Sequence, residues 1–364
     1  MDEKKIKIEE LGYDDFFESN CLKLALDSFK IARVIAEYKG SYKIKNVDGE
    51  YLAKSSGKLV FKASCREDYP SVGDWVAFTQ SDKQIAVIHN VLPRRTVIKR
   101  KYAGKKGSQI IAANIDTALI VESVDRDYNL NRFERYFALA MDGGVKPAII
   151  LNKIDLISKS ELDSKLFQIK TRFNDIDVIT SSVLMGEGLE ELRKYIKRAK
   201  TYSFLGSSGV GKSSLINKLI GKDIIKTGEI GLQTGKGTHV TTAREMYFLE
   251  NGGIVIDNPG MREIGMTKSD AGIESQFDEI VDLAKKCKFI NCTHMHEPGC
   301  EVIKALKSGE LDNERYSNYI NLKKETEHNE MVELKKREKD RKIGKFIKNA
   351  KKDFKKFKHK DYSE

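Results

Sequence analysis

The chain has 364 residues, 40% of them hydrophobic and 33% charged, with a formal net charge of +11. That length allows two or three domains with cores of their own, and no run approaches the roughly 18 apolar residues of a membrane-spanning helix. Three of the five cysteines (Cys287, Cys292 and Cys300, but not Cys21 or Cys65) crowd together beside histidines, which argues for a metal site and against a disulfide scaffold.

Residues 1–30 read as a loose helical lead-in; Met1–Glu10 lacks the apolar core of a signal peptide, so cytoplasmic residence is expected. From 31 to 98 the texture is that of short alternating strands at Ile31–Ala36, Tyr42–Val47, Lys58–Phe61, Trp75–Phe78 and Ile85–Ile88, punctuated by Asp48-Gly49, Ser56-Gly57 and Gly73-Asp74. Five such strands suit an all-β barrel of the OB type, a fold that often binds oligonucleotides; a small SH3-like barrel with only a packing role would look much the same. Residues 99–110 are basic and glycine-containing, which fits a linker or a phosphate-contacting loop.

An α/β rhythm then runs over 111–268: strands at Ile115–Val121, Ala148–Leu151 and Val178–Ser181 alternate with helices at Asn131–Met141, Leu162–Phe173 and Leu189–Ile196. This pattern predicts a mostly parallel sheet with helices on both faces and ligands at the carboxyl ends of its strands. Asn152-Lys153-Ile154-Asp155 follows one strand. The Asp carboxylate can accept from the N1–H and 2-amino group of guanine, a donor pair that adenine lacks, and Asn can bond N7 or O6; alone, the same four residues would equally be a helix start capped by Asp155. Thr180-Ser181-Ser182 ends the next strand, where a backbone N–H can meet guanine O6. The strand Tyr202–Leu205 leads into Gly206-Ser207-Ser208-Gly209-Val210-Gly211-Lys212-Ser213, with a helical pattern from Ser214 on. G-x-x-x-x-G-K-[ST] makes a loop whose N–H groups cradle nucleotide phosphates, with Lys212 on the β/γ-phosphates and Ser213 on Mg²⁺.

Residues 228–242 are rich in glycine and contain His239, Thr241 and Thr242; one of the two threonines is expected to complete the Mg²⁺ shell, Thr241 being favoured. Asp257-Asn258-Pro259-Gly260 fits D-x-x-G, with Asp257 on Mg²⁺ and the Gly260 N–H sensing the γ-phosphate. The next residue, Met261, stands where many GTPases carry a water-orienting Gln, so His239 is the candidate for that task. The motif order, with the guanine loop ahead of the phosphate loop, is rotated relative to conventional GTPases. A circular permutation of this kind makes the chain leave the GTPase domain just after its γ-phosphate sensor, so the next domain is placed to move with it.

Cys287-x₄-Cys292-x-His294-x₅-Cys300 offers three thiolates and an imidazole, a closed set suited to a structural Zn²⁺, with His296 as a competing fourth ligand. This gives a small helical zinc-binding subdomain at 269–320, followed by a basic helical tail at 321–364. Residues 335–360 hold 14 Lys and Arg against 3 Asp and Glu, so the formal charge resides in the tail, where Phe346, Ile347, Phe354 and Phe357 interleave with lysines. Such a stretch suits phosphate contact and base stacking, or is simply solvated.

Taken together, Gly73-Asp-Trp-Val76, Ala112-Ala-Asn-Ile-Asp116, Asn152-Lys-Ile-Asp155, Gly206 to Ser214, the His239 segment, Asp257-Asn-Pro-Gly260 and the cysteine cluster resemble the circularly permuted, ribosome small-subunit-dependent GTPases of the RsgA/YjeQ type over residues 30–320. The resemblance implies a multi-domain protein of OB barrel, permuted P-loop GTPase domain and zinc subdomain. It also implies GTP hydrolysis in late maturation of the small ribosomal subunit; with Met261 in place of Gln, turnover is expected to be slow alone and stimulated by that subunit, and a monomer contacting rRNA and no membrane is expected. It favours His294 as the fourth zinc ligand. One departure is that His-Thr-Thr-Thr of the family is here His239-Val240-Thr241-Thr242, and Val240 cannot ligate Mg²⁺. The competing functional readings are an RNA-binding assembly factor that keeps GTP as a structural ligand, and a permuted GTPase of the large subunit.

Overall fold

The computed structural model describes residues 6–101, 108–125, 128–173, 175–225, 244–258, 271–328 and 331. Five strands, β1 (Lys30–Tyr38), β2 (Ser41–Asn46), β3 (Gly49–Ser55), β4 (Trp75–Asp82) and β5 (Ile85–Val91), close into a barrel in the order β1-β2-β3-β5-β4-β1, with β3 and β5 parallel. Its core is Val34, Ile44, Tyr51, Phe78 and Ile88. One expected strand is misplaced. Lys58–Phe61 lies in a short helix spanning Gly57–Lys62, because the Ser56 hydroxyl caps it by accepting from the Leu59 N–H at 3.2 Å. The third strand is instead β3, where buried Tyr51 and Ala53 alternate with outward Glu50, Leu52 and Lys54.

The lead-in is more than loose chain. A helix at Asp15–Lys23 begins where the Asp14 carboxylate accepts from the Phe16 N–H, and its Phe17 packs with Leu11, Tyr13 and Leu92 around the fully buried Trp75 of the barrel. The described part of the expected linker also has regular structure: β6 (Val97–Lys101) and β7 (Ser108–Ala113) form an antiparallel ribbon that buries Ile98 and Ile111.

The α/β part is built on β8 (Thr117–Ser123), β9 (Lys146–Asn152), β10 (Val178–Ser181), β11 (Thr201–Leu205), β12 (Arg244–Phe248) and β13 (Ile254–Asp257), in the order β10-β9-β8-β11-β13-β12. All neighbours are parallel except β12, which runs antiparallel to β13 and, on its other side, to β1 of the barrel. Alternation along β8 serves both faces of the sheet. Ala118 and Ile120 pack with Phe133 and Phe137 of the helix Leu130–Asp142, while Leu119 and Val121 pack with Leu215 and Ile216 of the helix Lys212–Ile220. β12 went unforeseen because its apolar stretch, Met246-Tyr247-Phe248-Leu249, is short and does not alternate, and only Met246 of its five residues is buried.

Beyond the sheet, helices Ala271–Gln276, Asp278–Ala284 and Glu301–Ser308 and a further helix over 313–328 enclose a separate core of Ile273, Phe277, Ile280, Val302, Leu311 and Leu322. Among the described residues no helix is long and apolar enough to cross a membrane. The basic stretch 335–360 lies outside the described residues.

Candidate nucleotide site and metal cluster

The phosphate loop joins β11 to the helix Lys212–Ile220, and its glycines are required by sterics. Gly206 has φ +146°, and a Cβ there would stand 2.2 Å from the Val121 carbonyl oxygen. Gly211, at φ +100°, lies so close to Asn152 that a Cβ would meet its Nδ2 at 2.3 Å. Val210 is buried in the core beneath the loop, Ser207 is buried, and Ser208, Gly209 and Ser214 complete the loop and the first turn of the helix. Lys212 is buried and donates from Nζ to the carbonyls of Gly206 (2.8 Å) and Ser207 (2.6 Å), spanning its own loop. Burial pushes its ammonium down to about 8, against the pull of Asp257 and Glu122.

The guanine loop meets this phosphate loop directly. Asn152, at the end of β9, donates from Nδ2 to the Val210 carbonyl at 2.8 Å and accepts on Oδ1 from the Ser181 hydroxyl at 3.0 Å. Asp155 accepts from the Ser182 hydroxyl, so the two serines at the end of β10 each hold one member of the N-K-x-D loop. Lys153 takes a left-handed backbone (φ 62°), and its ammonium pairs with Asp125 at 3.3 Å. Sequence reasoning missed Asp125; its place just after β8, at the same carboxyl edge of the parallel sheet, was the available signal.

At the end of β13, Asp257 brings Oδ2 to 3.2 Å from the Ser213 hydroxyl, while its buried Oδ1 has no hydrogen-bond partner among the described residues. Burial raises this carboxyl, with Lys212 and Ser213 opposing. A hydroxyl, a carboxylate and an orphaned carboxylate oxygen at one spot are a donor set that fits Mg²⁺. Asn258 is tied down by its Nδ2, which donates to the Ser203 hydroxyl of β11 at 2.7 Å. His239, Thr241, Thr242, Gly260 and Met261 lie outside the described residues.

The cysteine cluster lies apart from this site. The ligand atoms of Cys287, Cys292, His294 and Cys300 all fall within 4.8 Å of one another. Cys287 Sγ is 3.8 Å from Cys300 Sγ, and His294 Nδ1 is 3.6 and 3.5 Å from those two sulfurs. Bonds of about 2.3 Å in a tetrahedron give edges of about 3.8 Å, so the donor set and its spacing fit Zn²⁺. His294 turns inward on a left-handed backbone (φ 61°), whereas His296 is exposed.

These arrangements have counterparts. Residues 91–267 match the family described as RsgA GTPase, and residues 201–343 match a second described as 50S ribosome-binding GTPase. A protein of Bacteroides thetaiotaomicron named "Small ribosomal subunit biogenesis GTPase RsgA 1" is 37% identical, covering 88% of this chain and 90% of its own. The chain belongs to the RsgA GTPase family. Another family member, the Lactiplantibacillus plantarum protein named "Small ribosomal subunit biogenesis GTPase RsgA 2", is 40% identical over 81% of this chain and 83% of its own. The crystal structure of YjeQ from Thermotoga maritima superposes with a TM-score of 0.59 at 26% identity, covering 82% of this chain and 98% of that one. YloQ, described as a circularly permuted GTPase, shares the fold with a TM-score of 0.58 at 22% identity, covering 83% and 96%. Family membership makes this chain a GTPase with a permuted domain, and accounts for a nucleotide–Mg²⁺ site at the convergence of its loops.

Proposed function

We propose that this GTPase works as a monomer in the cytoplasm on the small ribosomal subunit, late in its maturation, and that the triphosphate state governs its attachment. The observation that carries the nucleotide part of this reading is the Asn152 side chain bridging the guanine loop to the phosphate loop at Val210, which brings together motifs far apart and reordered in the chain. The small subunit is favoured over the large one because the relatives named for it align over more than four-fifths of the chain, whereas the match to the 50S-binding description covers 201–343 alone.

In this reading Asp155 accepts from the guanine N1–H and 2-amino group, with Asn152, Lys153, Ser181 and Ser182 shaping the base pocket. The N–H groups from Gly206 to Ser214 hold the phosphates. Lys212 leaves its two loop carbonyls for the β/γ-phosphates, a move helped by its poor solvation where it lies. Ser213, Asp257 and Thr241 would hold Mg²⁺, which neutralises charge building up between the β- and γ-phosphates. The Gly260 N–H senses the γ-phosphate, and His239 orients the attacking water when the particle is bound. Zn²⁺ on Cys287, Cys292, His294 and Cys300 would stiffen a module that, with the barrel and the basic tail, faces rRNA.

Co-sedimentation with purified small and large subunits tests the partner: retention on the small subunit with a non-hydrolysable GTP analogue, and weaker retention with GDP, is expected. Equal retention on both subunits would sink the proposal, and negligible single turnover in the presence of small subunits would favour a factor that keeps GTP as a structural ligand. For His239, the Ala variant should lose about 100-fold in particle-stimulated turnover while binding GTP normally; stimulated turnover at the parental rate would remove it from the mechanism.

A further inference from the structure

The helix Leu130–Asp142 touches both the nucleotide site and the C-terminal module within two turns. Tyr136, almost fully buried, places its hydroxyl against the Ser207 side chain of the phosphate loop. On the module side, Ala138 lies under Gly272, where a Cβ would stand 2.0 Å from the Ala138 carbonyl oxygen, so the two backbones are in contact. Arg135 pairs with Glu325 at 2.8 Å. Just ahead of these contacts on the same helix sits Glu134, a carboxylate with no exposure at all.

Glu134 is held from two other helices. Arg172, from the helix Lys159–Arg172, grips it with two nitrogens at 2.8 and 3.1 Å. Arg315, from the 313–328 helix, reaches Oε1 at 3.3 Å, and Asn318 of the same helix donates to Oε2. Arg315 also donates to the carbonyls of Arg172 (3.0 Å) and Gln276 (3.1 Å) and stacks over Phe277 at 5.2 Å. Buried ion clusters of this kind add little stability compared with apolar packing of equal volume, because desolvation offsets their attraction; what they do well is fix one arrangement.

We propose that Glu134 is a positioning residue that sets the orientation of the cysteine-cluster module on the GTPase body, and that the state of the phosphate loop reaches the module along this helix from Tyr136 to Glu134. The stimulated-turnover arm below rests on the small subunit being the partner; the exchange arm does not. The link is a physical one: a rigid two-turn segment with the phosphate loop on one side and a shared carboxylate on the other.

The test compares the parent protein with Glu134→Gln and with the triple variant Glu134→Leu/Arg172→Met/Arg315→Leu, which removes all three charges together and so avoids leaving a buried arginine unpaired. Bound zinc, GTP affinity and intrinsic turnover are measured first, and are expected within about twofold of the parent for the triple variant. Amide exchange over 271–328 is then followed with GDP and with a non-hydrolysable GTP analogue, and turnover is measured with small subunits. In the parent, exchange should differ between the two nucleotides; in both variants that difference should vanish, and particle stimulation should fall by about tenfold or more. A parent whose module exchanges identically in both states overturns the inference, as does a zinc-loaded variant that keeps the nucleotide-dependent difference. A parent that shows the exchange difference but no stimulation by small subunits would instead count against the proposed partner. If both variants lose zinc, Glu134 serves folding alone and the inference falls.

Discussion

Lys212, proposed to hold phosphate, is bound within its own loop. The buried ammonium donates to two of that loop's carbonyls, and its depressed pKa, about 8, records the incomplete compensation. A lysine lowered in the folded state binds fewer protons than the unfolded chain between about pH 8 and its ordinary value, so the nucleotide-free protein gains stability as pH rises through that window. In the proposed function triphosphate restores the charge. Calorimetry in buffers of different ionisation enthalpy should therefore register uptake of about half a proton or more on GTP binding at pH 8.5 and almost none at pH 6.5. Equal uptake at both values would show that Lys212 is already fully charged in the free protein. Much of this site was legible in the sequence, because Asn152, Asp155, Gly206, Lys212 and Asp257 belong to short local patterns with fixed chemistry. The Asp125–Lys153 pair and the Tyr136–Ser207 contact were not, since their partners are distant in the chain and carry no pattern.

At the scale of elements, the module after the nucleotide site joins two kinds of cohesion. Its helices share an apolar core around Phe277, Val302 and Leu322, but the segment from Cys287 to Cys300 is mostly exposed loop whose inward groups are the four candidate ligands. Removing metal with a chelator should cut amide protection over 285–300 by about 100-fold, leaving GTP binding intact because the phosphate loop belongs to another core. Unchanged protection after complete metal removal would show that the loop holds itself. The helices and buried strands of the α/β sheet were foreseen from periodicity, whereas β3 and the β6–β7 ribbon were not. The errors fell at short elements: a cap at Ser56 turned an expected strand into a helix, and β12 escaped because its stability comes from two neighbouring strands and not from its own sequence.

At the scale of the whole molecule, one buried arginine ties the parts together. Arg33 of β1 is 1% exposed and donates to the carbonyls of Leu11, Gly73 and Asn114 and to the Thr201 hydroxyl, which opens the strand leading to the phosphate loop. Burial lowers its guanidinium to about 10, with Asp116 the largest opposing influence. Lead-in, barrel, ribbon and GTPase sheet thus meet on one side chain. Arg33→Met strands three acceptors, since the Gly73 carbonyl keeps the Asn114 amide at 3.1 Å, and should cost about 2 kcal/mol, splitting thermal unfolding into separate barrel and GTPase transitions. A single transition at the parental midpoint would show that the β1–β12 pairing alone unites the domains.

The sequence alone determined the chemistry of this protein: guanine selection, phosphate binding and a thiolate-imidazole cluster each rest on residue types at short spacings, and spacing is a local property. Where those groups lie relative to one another was decided only by the tertiary structure. The joining of barrel to sheet through β12, the four acceptors around Arg33 and the two helices gripping Glu134 depend on contacts between segments far apart in the chain, and burial, which no local pattern encodes, supplies the energy that holds them there.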